Sequence, residues 1–163
     1  MSSRLNILEE QYEFVKGSRE VVFQYCERFS ADDYVKEVEG FGRGCIRSTQ
    51  AHICRSYIFW LADFGMKKEI SYPPYNSYKN LIDIRQLFES VNHVVSEFLK
   101  RFENNMDEHI SGKVTQINRE ITVTAIRLFT HVVSHEFHHK GQIMSMGRLL
   151  GYVPPDADII RFT

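Results

Sequence analysis

The stretch His135-Glu136-Phe137-His138-His139 places two imidazoles four residues apart. On a helix, residues i and i+4 rise about 6 Å along the axis and project from one face, so two ring nitrogens can converge on one ion at roughly 2.0 to 2.1 Å each. The same letters spell His-Glu-x-x-His, the zinc-peptidase signature in which the glutamate acts as general base. Against a peptidase, no Glu or His follows His139 to supply a downstream third ligand, and the sequence suggests no strand that would align an extended peptide. The overlapping Glu136-x-x-His139 would suit a di-iron carboxylate bundle, but that site needs a second Glu-x-x-His and two further core glutamates, which the other helices do not supply.

The placement of these histidines matters more than the motif. A heptad-like rhythm runs through Ile121, Ala125, Leu128, Val132, His135, His139, Gln142, Met146 and Leu149, so two imidazoles and an amide stand where apolar side chains belong. Each buried polar group left without a partner costs roughly 1 to 3 kcal/mol, so something must compensate them. Hydrogen bonding between the two histidines, or packing on aromatics, is the plainer explanation; a bound divalent metal ion is the sharper one, and the nearby Gln142 favours it. His131, four residues before His135, sits at the edge of the face. Three histidines in a row along one helix do not easily reach one ion, so His131 and Gln142 are expected to support the ligands rather than join them.

Four helices are predicted to position these groups. The first, about Leu5 to Phe29, repeats Leu8, Tyr12, Val15, Val22, Cys26 and Phe29, with Arg19 as its one mismatch. Gly40-Phe41-Gly42-Arg43-Gly44 turns the chain into a second helix, about Cys45 to Met66, striped by Ile46, Ile53, Tyr57, Trp60 and Phe64. Pro73-Pro74 interrupts the chain before a third helix begins near Tyr78, and Leu81, Ile84, Phe88, Val91, Val95, Phe98 and Phe102 keep that helix on one narrow apolar face. Asn104 to Gly112 reads as loop. The β-branched run Ile121 to Thr124 leaves the start of the fourth helix ambiguous and is assigned to the helix. That helix ends at Gly151, where a left-handed cap is expected before Pro154-Pro155, and the tail to Thr163 is expected to be extended. The fold class is therefore all-α, a four-helix bundle forming a single domain over residues 1–163.

Composition narrows the partners. The formal net charge is −1 without a long single-sign block, which gives no electrostatic footprint for nucleic acid or an anionic membrane. Met1-Ser2-Ser3-Arg4 leads into acidic residues without an apolar signal region, and no run of about 18 apolar residues occurs, so a cytoplasmic protein is expected. Cys26, Cys45 and Cys54 are odd in number and form no C-x-x-C pair, so they are expected as buried free thiols.

From His135 to Gln142, the run His-Glu-Phe-His-His-Lys-Gly-Gln resembles the DinB-like, or YfiT-like, metal-dependent four-helix proteins, whose fourth helix carries His-x-x-x-His followed by Arg-Gly-Gln. The likeness continues through Arg148-Leu149-Leu150-Gly151 and the two prolines. In helix two, Arg47 to Ile53 followed by Trp60-Leu61 is similar to the family segment that holds its first metal histidine. The resemblance implies metal ligands at His52, His135 and His139, on zinc or nickel, with open coordination positions. Periodicity alone would leave His52 on the surface, about a quarter turn from the apolar stripe. Lys140 departs from the family arginine: an ammonium keeps the charge but loses the planar fork. Gly141 is expected to let a neighbouring helix approach closely. The resemblance further implies a small-molecule substrate, a low-molecular-weight thiol such as bacillithiol, mycothiol or glutathione transferred to an electrophile, and a homodimer that Tyr72, Tyr75 and Tyr78 would support. A stress-associated protein that binds metal or a small ligand without catalysis is the alternative.

Overall fold

The computed structural model describes residues 3–162; Met1, Ser2 and Thr163, which the expectations for the two chain ends include, lie outside them. The periodic stripes become long helices. α1 spans Ser3–Cys26 and buries Leu8, Tyr12, Val15, Val22 and Cys26, while Phe29 lies past its end. A single-turn α2, Ala31–Val35, is capped by Ser30, whose hydroxyl accepts from the Asp33 amide. α3 spans Ile46–Tyr57 and runs directly into a π-helical segment, Ile58–Gly65. α4, Leu81–Arg101, opens on a reciprocal capping box between Asn80 and Asp83. All but the first residue of the predicted α4 stripe is buried. α5 spans Ala125–Leu149.

α1 packs on α4 and α5, and α3 packs on the same two helices, so the four long helices enclose one interior. This is why apolar residues three and four apart suffice to build the core. Among the described residues, no helix is long and apolar enough to cross a membrane.

The all-α expectation needs one correction. Residues assigned to a loop and to the first turn of the last helix instead form a small antiparallel sheet, β1 His109–Val114 with β2 Arg119–Thr124. Ile110 pairs with Val123 and Gly112 with Ile121. β-Branched side chains lose little on a pleated surface and lose χ1 freedom in a helix, and here the extended state won because β1 was available as partner. Ile110 and Val114 bury themselves on one face of the hairpin, and Ser111 and Thr122 hydroxyls meet across it at 2.8 Å. Ile121 therefore belongs to a strand, and Leu149, the other end of the predicted stripe, is exposed.

The close helix approach expected at Gly141 falls elsewhere. A Cβ at Gly141 would meet nothing within 4 Å, whereas one at Gly147 would sit 2.2 Å from the Tyr25 hydroxyl. That glycine lets α5 lie against α1. Gly151 adopts φ +94° after α5, and the amides of Gly151 and Tyr152 turn back to the carbonyls of Arg148 and Gly147, as the sequence predicts. The tail then forms a short 3-10 turn, Ile159–Phe162, rather than staying extended.

Candidate metal centre and its cleft

α3 lies against α5, and this packing brings His52 from the first to His135 and His139 from the second. The donor atoms of all three rings lie within 4.8 Å of one another. The ring centroids of His52 stand 4.9 Å from His135 and 4.8 Å from His139. His135 Nε2 and His139 Nε2 are 3.1 Å apart, near the roughly 3.3 Å that separates two nitrogens each about 2.05 Å from a tetrahedral ion. His139 Nδ1 donates to Gln142 Oε1 at 2.7 Å, which leaves the Nε2 lone pair turned toward His135. Gln142 then donates through Nε2 to His138 at 3.2 Å. Gln142 thus contacts one of the three candidate ligands through its side-chain oxygen. His135 Nδ1 is buried without a partner among the described residues.

All three rings favour the neutral form that a metal requires. Burial pulls His135 down to about 3, helped by the facing imidazoles, and His52 down to about 4, helped by Arg43 and His139. Burial also lowers His139, although the Gln142 hydrogen bond opposes it. Charged imidazolium is disfavoured in a low dielectric next to other cations, so at neutral pH the site offers three lone pairs. His52 Nδ1 lies 3.5 Å from the Tyr75 hydroxyl, and its Nε2 accepts from Arg43 Nη2 at 3.4 Å.

His52 and His135 of the triad line a cleft of about 590 Å³. Phe59, Trp60, Tyr72 and Tyr75 form its aromatic walls, the hairpin contributes Val114 and Ile117, and Arg43 and Arg55 also line it. The π-helical segment carries Phe59 and Trp60, and such irregular turns re-aim side chains beside functional sites. Gly44, at φ +75°, allows the bend that carries Arg43 toward His52. His131 packs its ring on Trp60 at 5.2 Å and on His135 at 5.8 Å, a supporting position rather than a ligand one. Tyr72 and Tyr75, two of the tyrosines offered as support for a dimer, line this cleft.

The sequence profile of the DinB family matches residues 1–163. The chain belongs to the DinB family. No curated protein matches it. Three neutral imidazoles from two helices, arranged around a common point with no thiolate among them, suit a first-row divalent ion, so the residues present in this DinB family protein fit the metal that the resemblance implies.

Glu136 takes a different direction from its histidine neighbours. Its carboxylate is buried and accepts two hydrogen bonds from Arg19, at 2.7 Å from Nε and 2.9 Å from Nη2. The Tyr57 hydroxyl donates to it at 2.6 Å. Both oxygens are thereby committed to the core, which removes the general base that a His-Glu-x-x-His peptidase needs. Arg19, the mismatch in the first stripe, is the partner: it also donates to Asn92 at 2.9 Å and to Tyr12 at 3.2 Å, and its guanidinium lies 4.4 Å over Phe88. Burial alone would lower its pKa, but Glu136 holds it well above the ordinary value. Arg19, as a charge within an apolar stripe, was the available sequence signal; Glu136 lies beside the stripe predicted for the last helix and gave none.

Lys140, at the position where the family carries arginine, donates to Ser18 at 3.2 Å and to the Ala157 carbonyl at 2.8 Å. It ties α5 to α1 and to the tail and is absent from the cleft lining. Cys26, Cys45 and Cys54 are free and buried, as expected. Burial raises the thiols of Cys26, to about 12, and of Cys54, which keeps both protonated and inert.

Proposed function

We propose that this protein is a metal-dependent enzyme in which His52, His135 and His139 hold one divalent transition metal ion, zinc or nickel, and leave it a position open to the cleft. Its reaction would set a low-molecular-weight thiol, or water, against a small electrophilic substrate, as in thiol transfer or hydrolysis. The observation that carries this reading is the convergence of three neutral imidazoles from two helices, two of which, His52 and His135, line an open cleft. When bound, the ion supplies Lewis acidity that lowers the pKa of a coordinated thiol or water. The chain's own residues do the rest: Gln142 orients His139, the aromatic walls shield the reacting groups from solvent, and Trp60 with His131 backs the His135 ring. Because the described cysteines are buried, the thiol comes from outside the chain.

On this reading, residues 1–163 are one domain, a four-helix bundle of the DinB/YfiT-like type elaborated by a hairpin. It acts in the cytoplasm as a homodimer on small molecules, with no nucleic acid or membrane partner. A second reading, a protein that binds metal or a small ligand without turnover, is favoured by one observation: among the described residues lining the cleft, none is a carboxylate able to act as base. Assay of the zinc- and nickel-loaded protein with bacillithiol, mycothiol and glutathione against a chromogenic electrophile separates the two. Metal-dependent turnover that disappears in His135→Ala supports the enzyme; saturable thiol binding without turnover across the panel supports the second reading.

A further inference from the structure

The cleft is positively charged by construction. Arg43 and Arg55 both line it, whereas none of the described lining residues is a carboxylate. Asp63 accepts the hydroxyl of Tyr72, a residue of that wall, at 3.1 Å. Among the described residues, neither arginine is held in an ion pair with Asp or Glu. Arg55 is nonetheless fixed: its guanidinium lies 3.9 Å over the Tyr75 ring and donates to the Pro73 carbonyl, while its Nε is buried with no partner. Among the described residues, the side-chain partner of Arg43 is His52, whose Nε2 lies 3.4 Å from its Nη2. A dication on three neutral ligands would join these two guanidiniums with no carboxylate among the described lining residues to offset it, a positive field that favours an anionic ligand.

We propose that Arg43 and Arg55 form an oxyanion subsite next to the triad, so that the cleft takes a small acid whose carboxylate or phosphate lies between the two guanidiniums while its apolar part rests on Phe59, Trp60 and Tyr72. The planar forks of arginine suit such groups bidentately. The inference deepens the proposed function and rests on the same cleft being the ligand site; it names the acidic class of molecule that site selects.

Trp60 is the only tryptophan in the chain and stands in the cleft wall, so its fluorescence reports occupancy. Metal-loaded and metal-free protein are each titrated with 3-phenylpropionate, phenylphosphonate and the neutral 3-phenylpropionamide. The subsite predicts that an acid binds on the order of tenfold tighter than the amide in both forms. Arg43→Ala and Arg55→Gln each remove most of that preference, and Arg43→Lys keeps part of it. The tighter of carboxylate and phosphonate identifies the acid group. Circular dichroism and the melting midpoint check each variant; should Arg55→Gln disturb the Tyr75 loop, Arg43→Ala decides alone. Equal binding of acid and amide, no quenching by any probe, or an acid preference that survives in the arginine variants overturns the proposal, the last because the ion itself would then take the acid. Loss of metal binding as a property of the triad would leave the metal-free titration intact, so the two readings fail separately.

Discussion

At the scale of single residues, the site depends on atoms whose second valence is already assigned. His139 donates to Gln142, and removing such a partner releases the ring to rotate and to change tautomer. Gln142→Ala is expected to weaken zinc binding by about 10- to 100-fold while leaving the helical spectrum unchanged; competition with a chromophoric chelator measures it, and an unchanged affinity would show that the contact is incidental. His135 and His139 were legible in the sequence because they interrupt a periodic apolar face, where an uncompensated imidazole is costly. His52 was legible only through resemblance, since it lies off the stripe of α3 and reaches the site because α3 packs on α5. Arg43 and Arg55 were not singled out at all. Arg43 reaches His52 through the bend at Gly44, which has no periodic signal, whereas Arg55 follows His52 by three residues on α3 and is held by the Pro73-to-Tyr75 loop.

At the scale of elements, α1 is tied to α5 by the pair Arg19 and Glu136, which are distant in sequence and buried together. Removing one partner leaves a desolvated charge, so Glu136→Ala is expected to lower stability by about 3 to 5 kcal/mol, whereas replacing both partners by apolar residues of similar volume costs much less. Denaturant unfolding of the two singles and the double measures the coupling; additive losses would mean that the pair is not acting as a unit. The same elements mark the limits of periodic reasoning. Residues Leu81 to Phe102 formed the helix their spacing predicts because each turn presents the same face to α1 and α3. Ile121 to Thr124 did not, because a four-residue β-branched run fits either state and its choice was made by residues 109–114, whose alternation rests on two apolar side chains, Ile110 and Val114, on either side of Gly112. Glycine placement was likewise invisible: Gly141 and Gly147 look alike in sequence, and the positions of Tyr25 and Phe29 distinguish them.

At the scale of the whole molecule, the interior holds groups whose protons the fold protects. Burial pushes Tyr12 from 10.0 up to about 12 and Cys26 from 9.0 up to about 12. With folded values above the unfolded ones, the unfolded chain sheds these protons first, so their contribution to stability is complete below pH 9 and is lost as pH rises toward 12. The midpoint of urea unfolding is expected to fall across that window, and a midpoint flat from pH 9 to 12 would refute the assignment. The helical architecture brings three imidazoles from two helices within 4.8 Å of one another, two of them in the wall of a cleft. The most direct test is elemental analysis of protein purified without an affinity tag, beside His52→Ala, His135→Ala and His139→Ala variants of verified fold. The account predicts close to one transition metal ion per chain in the parent protein and its loss in each variant. Metal content unchanged by all three substitutions would contradict it.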